Sequence, residues 1–152
     1  MTVPAAYDLN VVFDALQELF DGLPTGEEID GRPQVISAFS EVVPIGQVPA
    51  MVLELDDISW DRTMADGSDE FTIMMTILVQ DVASPEAQRT LRSFLSRAPG
   101  SPWARIKKTL EDSETLGGLV SYVHMGTARQ MGRITYDQVD YLGVSIPLEV
   151  VS

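Results

Sequence analysis

His124 is the single histidine of this 152-residue chain, and there is no cysteine. Those two counts bound the chemistry available. Thiolate catalysis, disulfides and Cys-type metal sites are excluded. A Ser–His–Asp arrangement would have to run through His124, and no segment resembles the strand–turn–helix elbow that presents a nucleophilic serine. A lone histidine in an apolar strand is ordinarily a packed or surface residue, since a ligand histidine needs further ligands beside it.

The carboxylates fare no better. Asp61, Asp66, Asp69 and Glu70 crowd one segment, but their spacing is not the alternating ligand pattern of an EF-hand loop. A solvated hairpin tip accounts for them. Asp56 and Asp57 are adjacent, so on a regular strand they point to opposite faces and do not converge as a glycosidase pair would. Gly117–Gly118 follows a helical stretch and reads as a helix stop, not a phosphate cradle. Arg105, Lys107 and Lys108 make a small basic patch, read as a protein contact or a solvated face. The expectation is a non-enzymatic protein with no catalytic residues, no metal and no cofactor. A small hydrolase or ligand-binding domain is the contrary reading, with His124 as its best candidate.

Charge narrows the partners. The formal net charge is −13, from 23 acids against 10 bases. Phosphate contacts need Lys and Arg, so this balance opposes nucleic-acid binding, and it equally opposes docking on an anionic membrane face. It does allow a passage for DNA, because like charge keeps the polymer from sticking. The charge is segregated along the chain: Asp8 to Asp30 carries seven acids and no base, while six of the ten bases lie between Arg89 and Lys108. Surfaces of opposite sign, or two solvated helix faces, are both compatible with that pattern. No run of 18 apolar residues is present, so no transmembrane helix is expected. The first residues lack the basic-then-apolar pattern of a secretion signal.

Apolar residues make up 45% of the chain, enough to bury a core. Leu9, Val12, Phe13, Leu16, Leu19 and Phe20 fall on one helical stripe, with Asp8 or Thr2 as cap and Gly22 and Pro24 as stops. Thr25 to Arg32 reads as a polar loop, and Gln34 to Phe39 as a short strand. Pro44, Gly46 and Pro49 break the next stretch. Ala50 to Leu55 reads as a strand that extends through Ile58 and Trp60. Asp61 to Asp69 is the turn or hairpin tip. Phe71, Ile73, Met75, Ile77 and Val79 then alternate along the clearest strand of the chain. Its other face (Thr72, Met74, Thr76, Leu78, Gln80) is half apolar, so a partner subunit or a helix of the same chain is expected to cover it. Ser84–Pro85 opens a second helix with Leu91, Phe94 and Leu95 on its stripe. A third, bracketed by Ser101 and Ser113, carries Trp103, Ile106 and Leu110. Leu119 to Gln130 is read as a weak strand, Gly132 to Gln138 as a connecting turn, and Val139 to Val151 as a strong strand. Pro147 would place that last strand at an edge, or mark a bulge. The expected fold is α+β in one domain spanning residues 1–152: a mainly antiparallel sheet with helices packed on it.

The stretch from Asp57 through Trp60, Arg62, Thr63, Met64, Ala65, Asp66 and Gly67 to Phe71 resembles a segment of tail-terminator proteins of actinobacterial long-tailed phages. There a strand enters a D-x-T-M-x-x-G-x-D hairpin and leaves on a strand ending in a VLV-like run, here Ile77-Leu78-Val79. The resemblance continues through Ala87-Gln88, Ile106 to Glu111, Thr115 to Gly118 and Tyr141-Leu142-Gly143, about two thirds of the chain. The order and spacing of these motifs together carry the likeness. The loop Gly22 to Arg32 is more acidic than the family pattern, and the third helix is entered through Ser101-Pro102-Trp103.

The resemblance implies a tail-terminator-like fold and a homohexameric ring at the head-proximal end of the tail in the virion, assembled in the host cytoplasm. Such a ring caps the tube of major tail protein, ends its growth and meets the head–tail connector or stopper. Genomic DNA passes through without specific binding. Trp60, Arg62, Thr63, Met64, Ala65, Asp66 and Gly67 are the expected subunit or tube contact. Another neck or minor tail component, of head-completion type, is the alternative.

Overall fold

The computed structural model describes residues 7–29, 31–41, 45–46, 48–63, 68–81, 86–96 and 100–152. Its organising feature is a curled, mostly antiparallel sheet with helices on one face. Helix α1 (Leu9–Phe20) buries Val12, Leu16 and Phe20. Asp8 caps it, accepting the backbone N–H of Asn10 at 2.8 Å, which satisfies one of the donors a helix start leaves open. The competing cap at Thr2 lies outside the described residues. At the other end Asp21 accepts the backbone N–H of Ala38 at 3.0 Å, and Gly22 takes a positive φ of 78°. The helix therefore stops against the sheet it covers.

The segment expected as a polar loop is instead a hairpin, β1 (Pro24–Ile29) with β2 (Arg32–Val35). It turns through Gly31 at φ 75°. The expected strand from Gln34 to Phe39 is split. Its first residues belong to this hairpin, and β3 (Ser37–Phe39) leaves to pair parallel with the start of β4.

Strands β4 (Ala50–Thr63) and β5 (Ser68–Asp81) are 14 residues each and form the long central hairpin. The expected extension through Ile58 and Trp60 is present. Thr63 pairs Ser68, so the tip is shorter than the expected Asp61 to Asp69. On β5 the alternation holds: Phe71, Ile73, Met75, Ile77 and Val79 are all buried. Helices α2 (Glu86–Leu95) and α3 (Pro102–Glu111) come next. Ser101 caps α3 by accepting from the Ala104 N–H at 3.2 Å; the expected Ser84 cap of α2 lies outside the described residues. A short 3-10 turn, Leu116–Gly118, ends this region with Gly117 and Gly118 both at positive φ; α3 has already ended at Glu111, so the pair does not stop that helix as expected.

The last third departs most from expectation. The weak strand shrinks to β6 (Tyr122–Met125), and the supposed turn from Gly132 to Gln138 is mostly strand β7 (Gln130–Tyr136). The true turn is Asp137–Gln138, with φ of 50° and 66°, closed by the Tyr136–Val139 pair. Two positive φ values in a two-residue loop suit the right-handed twist of a hairpin. Gln138 is not a residue that advertises such a turn.

Strand β8 (Val139–Val151) is not at an edge. It pairs with β5 along one side and with β7 and then β6 along the other. Pro147 is accommodated because it falls where β7 has ended and β6 has not begun. Its carbonyl accepts the Gly126 N–H at 2.8 Å, so its missing donor would have pointed into that gap. The sheet order is β3-β4-β5-β8-β6, with β7 on the other half of β8.

The main core lies between this sheet and the three helices. Val12, Leu16 and Phe20 of α1, Leu91 and Phe94 of α2, and Ile106 and Leu110 of α3 meet Met51, Leu53, Ile73, Met75, Val144, Ile146 and Leu148. A second cluster sits on the opposite face: Val52, Leu78, Ile134, Tyr136 and Tyr141, with Ile45 and Val48 against it. For side chains of β4 and β7 to meet there, across β5 and β8, the sheet must curl toward that face.

Candidate subunit interface

The resemblance places its contact residues at the far end of the β4–β5 hairpin. Trp60 lies on β4 with 70% of its surface exposed. An indole combines a large apolar face with one polar N–H, so this exposure leaves apolar surface available for a contact. Arg62 and Thr63 end β4, and Met64, Ala65, Asp66 and Gly67 lie outside the described residues. The strand opposite is held at its base. The backbone of Asp69 accepts the Ser152 N–H at 3.0 Å and donates to Ser152 Oγ at 2.8 Å.

Tyr7 braces the same point. Its ring stacks on Phe71, centroids 5.6 Å apart, and its hydroxyl donates to Asp69 Oδ2 at 2.7 Å. Burial first, then the hydrogen bond to Asp69 and the carboxylate's charge, push the Tyr7 hydroxyl up to about 12. The hairpin therefore leaves the body from a fixed base. Ser59 pairs Glu70 while Thr63 pairs Ser68, so β4 carries extra residues on its outer side at Trp60. Such a bulge twists a strand and re-aims its side chains.

The curled face is the second candidate surface. Thr72, Met74 and Thr76 of β5 are half-buried there. Thr76 and Ser145 share a hydrogen bond between hydroxyls at 3.1 Å. An ion pair crosses this face, from Arg129 on the β6–β7 connection to Asp56 on β4 at 3.1 Å. Asp56 falls at a register break between Leu55 and Asp57, which nothing in the sequence discloses. Among the described residues no helix covers this face, because α1, α2 and α3 pack on the other. The sheet itself closes over Leu78, and the lower part stays accessible.

His124 is exposed on β6 opposite Glu149. Among the described residues, no group of three or more His, Asp or Glu could hold a metal ion, and no helix is long and apolar enough to cross a membrane.

Two grooves at the sheet edges escape a reading of the sequence. One lies between α1 and β4, the other between α2 and β7. The second is hidden because the residues of β7 read as a turn. No protein-family model matches the chain, and no curated protein is significantly similar to it.

Proposed function

We propose that this chain is a structural tail-terminator protein, forming a ring that caps the tail tube and joins it to the head connector. The observation that carries the reading is the Asp57 to Phe71 segment. It resembles the terminator hairpin in sequence and forms the end of a long β-hairpin with Trp60 exposed beside a bulge. Two further features support it. A net charge of −13 suits a lumen that DNA must traverse without binding, and the curled face leaves Met74 and its neighbours only partly covered by their own chain.

In this reading the hairpin contacts a neighbouring subunit or the tube of major tail protein, and the ring presents another surface to the connector or stopper. No side chain performs chemistry. Depleting the chain from an infected lysate should yield tails of uncontrolled length that fail to join heads. Capped tails of normal length without it would overturn the role. The head-completion alternative predicts a different location, on the portal side and away from the upper end of the tube, which labelled protein in assembled particles would reveal.

A further inference from the structure

Two grooves sit at opposite edges of the same sheet, and they differ in sign. The first, about 600 Å³, is lined by Leu9, Phe13, Leu53 and Leu55 and rimmed by Asp14, Glu41 and Glu54, with no base among its described lining residues. The second, about 450 Å³, is lined by Leu91, Leu95, Met131 and Leu142 and rimmed by Arg92 and Arg133, with no acid among its described lining residues. Arg133 also lies 3.9 Å from Asp140. Each groove exposes one large apolar side chain: Leu55 at 44% and Met131 at 65%.

We propose that these grooves are the two halves of one contact, with the acid-rimmed α1/β4 groove of one copy seated on the base-rimmed α2/β7 groove of the next. Charge decides the pairing. A two-fold contact made through one groove alone would set that groove against itself and bring like charges together, which costs several kcal/mol when water is excluded. Joining unlike grooves sets Arg92 and Arg133 toward Asp14, Glu41 and Glu54, and buries Leu55 and Met131 in the same step. Such a contact is heterologous, so it repeats until the rotation closes a ring. It also joins β4 of one copy, whose outer edge pairs with β3 only over Ala50 to Val52, to the β7 side of the next. The closure into a ring rests on the terminator reading; the choice of faces rests on the grooves.

The natural absence of cysteine makes the test clean. The chain carrying both Leu55→Cys and Met131→Cys, treated at high concentration with a short bifunctional thiol reagent, should give a ladder of covalent multimers. Each single-cysteine chain should remain monomeric. Reversing one rim with Arg92→Glu and Arg133→Glu should cut the ladder about tenfold, and adding Asp14→Lys and Glu54→Lys to that chain should restore it. Three results would overturn the proposal: a double-cysteine chain that stays monomeric, single-cysteine chains that dimerise as readily, or rim reversal without loss and recovery. The two proposals fail separately. A ladder together with normally capped tails in depleted lysate removes the terminator role alone, whereas tails that need the chain without any ladder removes this contact alone.

Discussion

The two faces of β5 are covered in different ways. On one, Phe71, Ile73, Met75, Ile77 and Val79 are sealed under three helices. On the other, Leu78 is sealed by the curl of its own sheet, through Val52, Ile134, Tyr136 and Tyr141, and Thr72, Met74 and Thr76 are left half-covered. The first face is finished within the chain. The second is finished at one end, while at the other its described side chains stay half-buried.

The largest test of the difference is at Gly143, where β8 and β5 approach most closely beside Leu78. A Cβ there would collide with the carbonyl oxygen of Ile77 on the neighbouring strand. The register of β5 against β8 also shifts between Leu78 and Gln80. Backbone, unlike the end of a side chain, cannot swing aside. Gly143→Val should therefore destabilise by about 4 kcal/mol, read as a lowered denaturant midpoint with an unchanged m-value. A loss below about 1 kcal/mol would mean that the two strands are not held this closely.

Two adjacent methionines give a more direct comparison. Met75 is fully buried under the helices, so Met75→Ala should cost about 3 kcal/mol through lost contacts and a residual cavity. Met74→Ala, one residue away on the open face, should cost about 1 kcal/mol or less in the isolated chain. If Met74 meets a partner, its truncation should weaken assembly more than folding. Equal folding costs at both sites would show the second face to be an ordinary core.

The same contrast separates the parts of the fold that are legible in the sequence from those that are not. The helix-covered face repeats every second residue, and its period survives because one continuous layer lies above it. The α1 stripe and the Ser101 cap are legible for similar local reasons. The curled face is not. Its closure depends on β7, whose Gln130–Tyr136 sequence contains Gly132 and several polar residues and looks like a connection. It also depends on a turn at Asp137–Gln138 that lacks the usual Asn-Gly chemistry. Pro147 misleads for an instructive reason: a missing N–H excludes a central strand only if a neighbour needs that donor, and the neighbours here change at that residue. The candidate contact at Trp60 is legible as a resemblance. The two grooves are not, because each is assembled from elements far apart in the chain.

A comparably small effect is expected where the helix-covered face ends. Tyr7 covers Phe71, the last buried residue before the hairpin departs, and ties itself to Asp69. Tyr7→Phe keeps the ring and removes the hydroxyl, so it should cost about 1 kcal/mol at neutral pH. The pH dependence identifies the contact. The hydroxyl rises from its ordinary 10.0 to about 12 in the folded chain, which means folding favours the neutral form. That contribution is complete below pH 10 and is lost as pH climbs through about 12. The stability gap between the natural chain and Tyr7→Phe should therefore be constant up to pH 10 and narrow above it. A gap that instead widened with rising pH would mean that the Tyr7 hydroxyl ionises more easily in the folded chain than in the unfolded one. The brace at the base of the hairpin would then be the stacked ring alone.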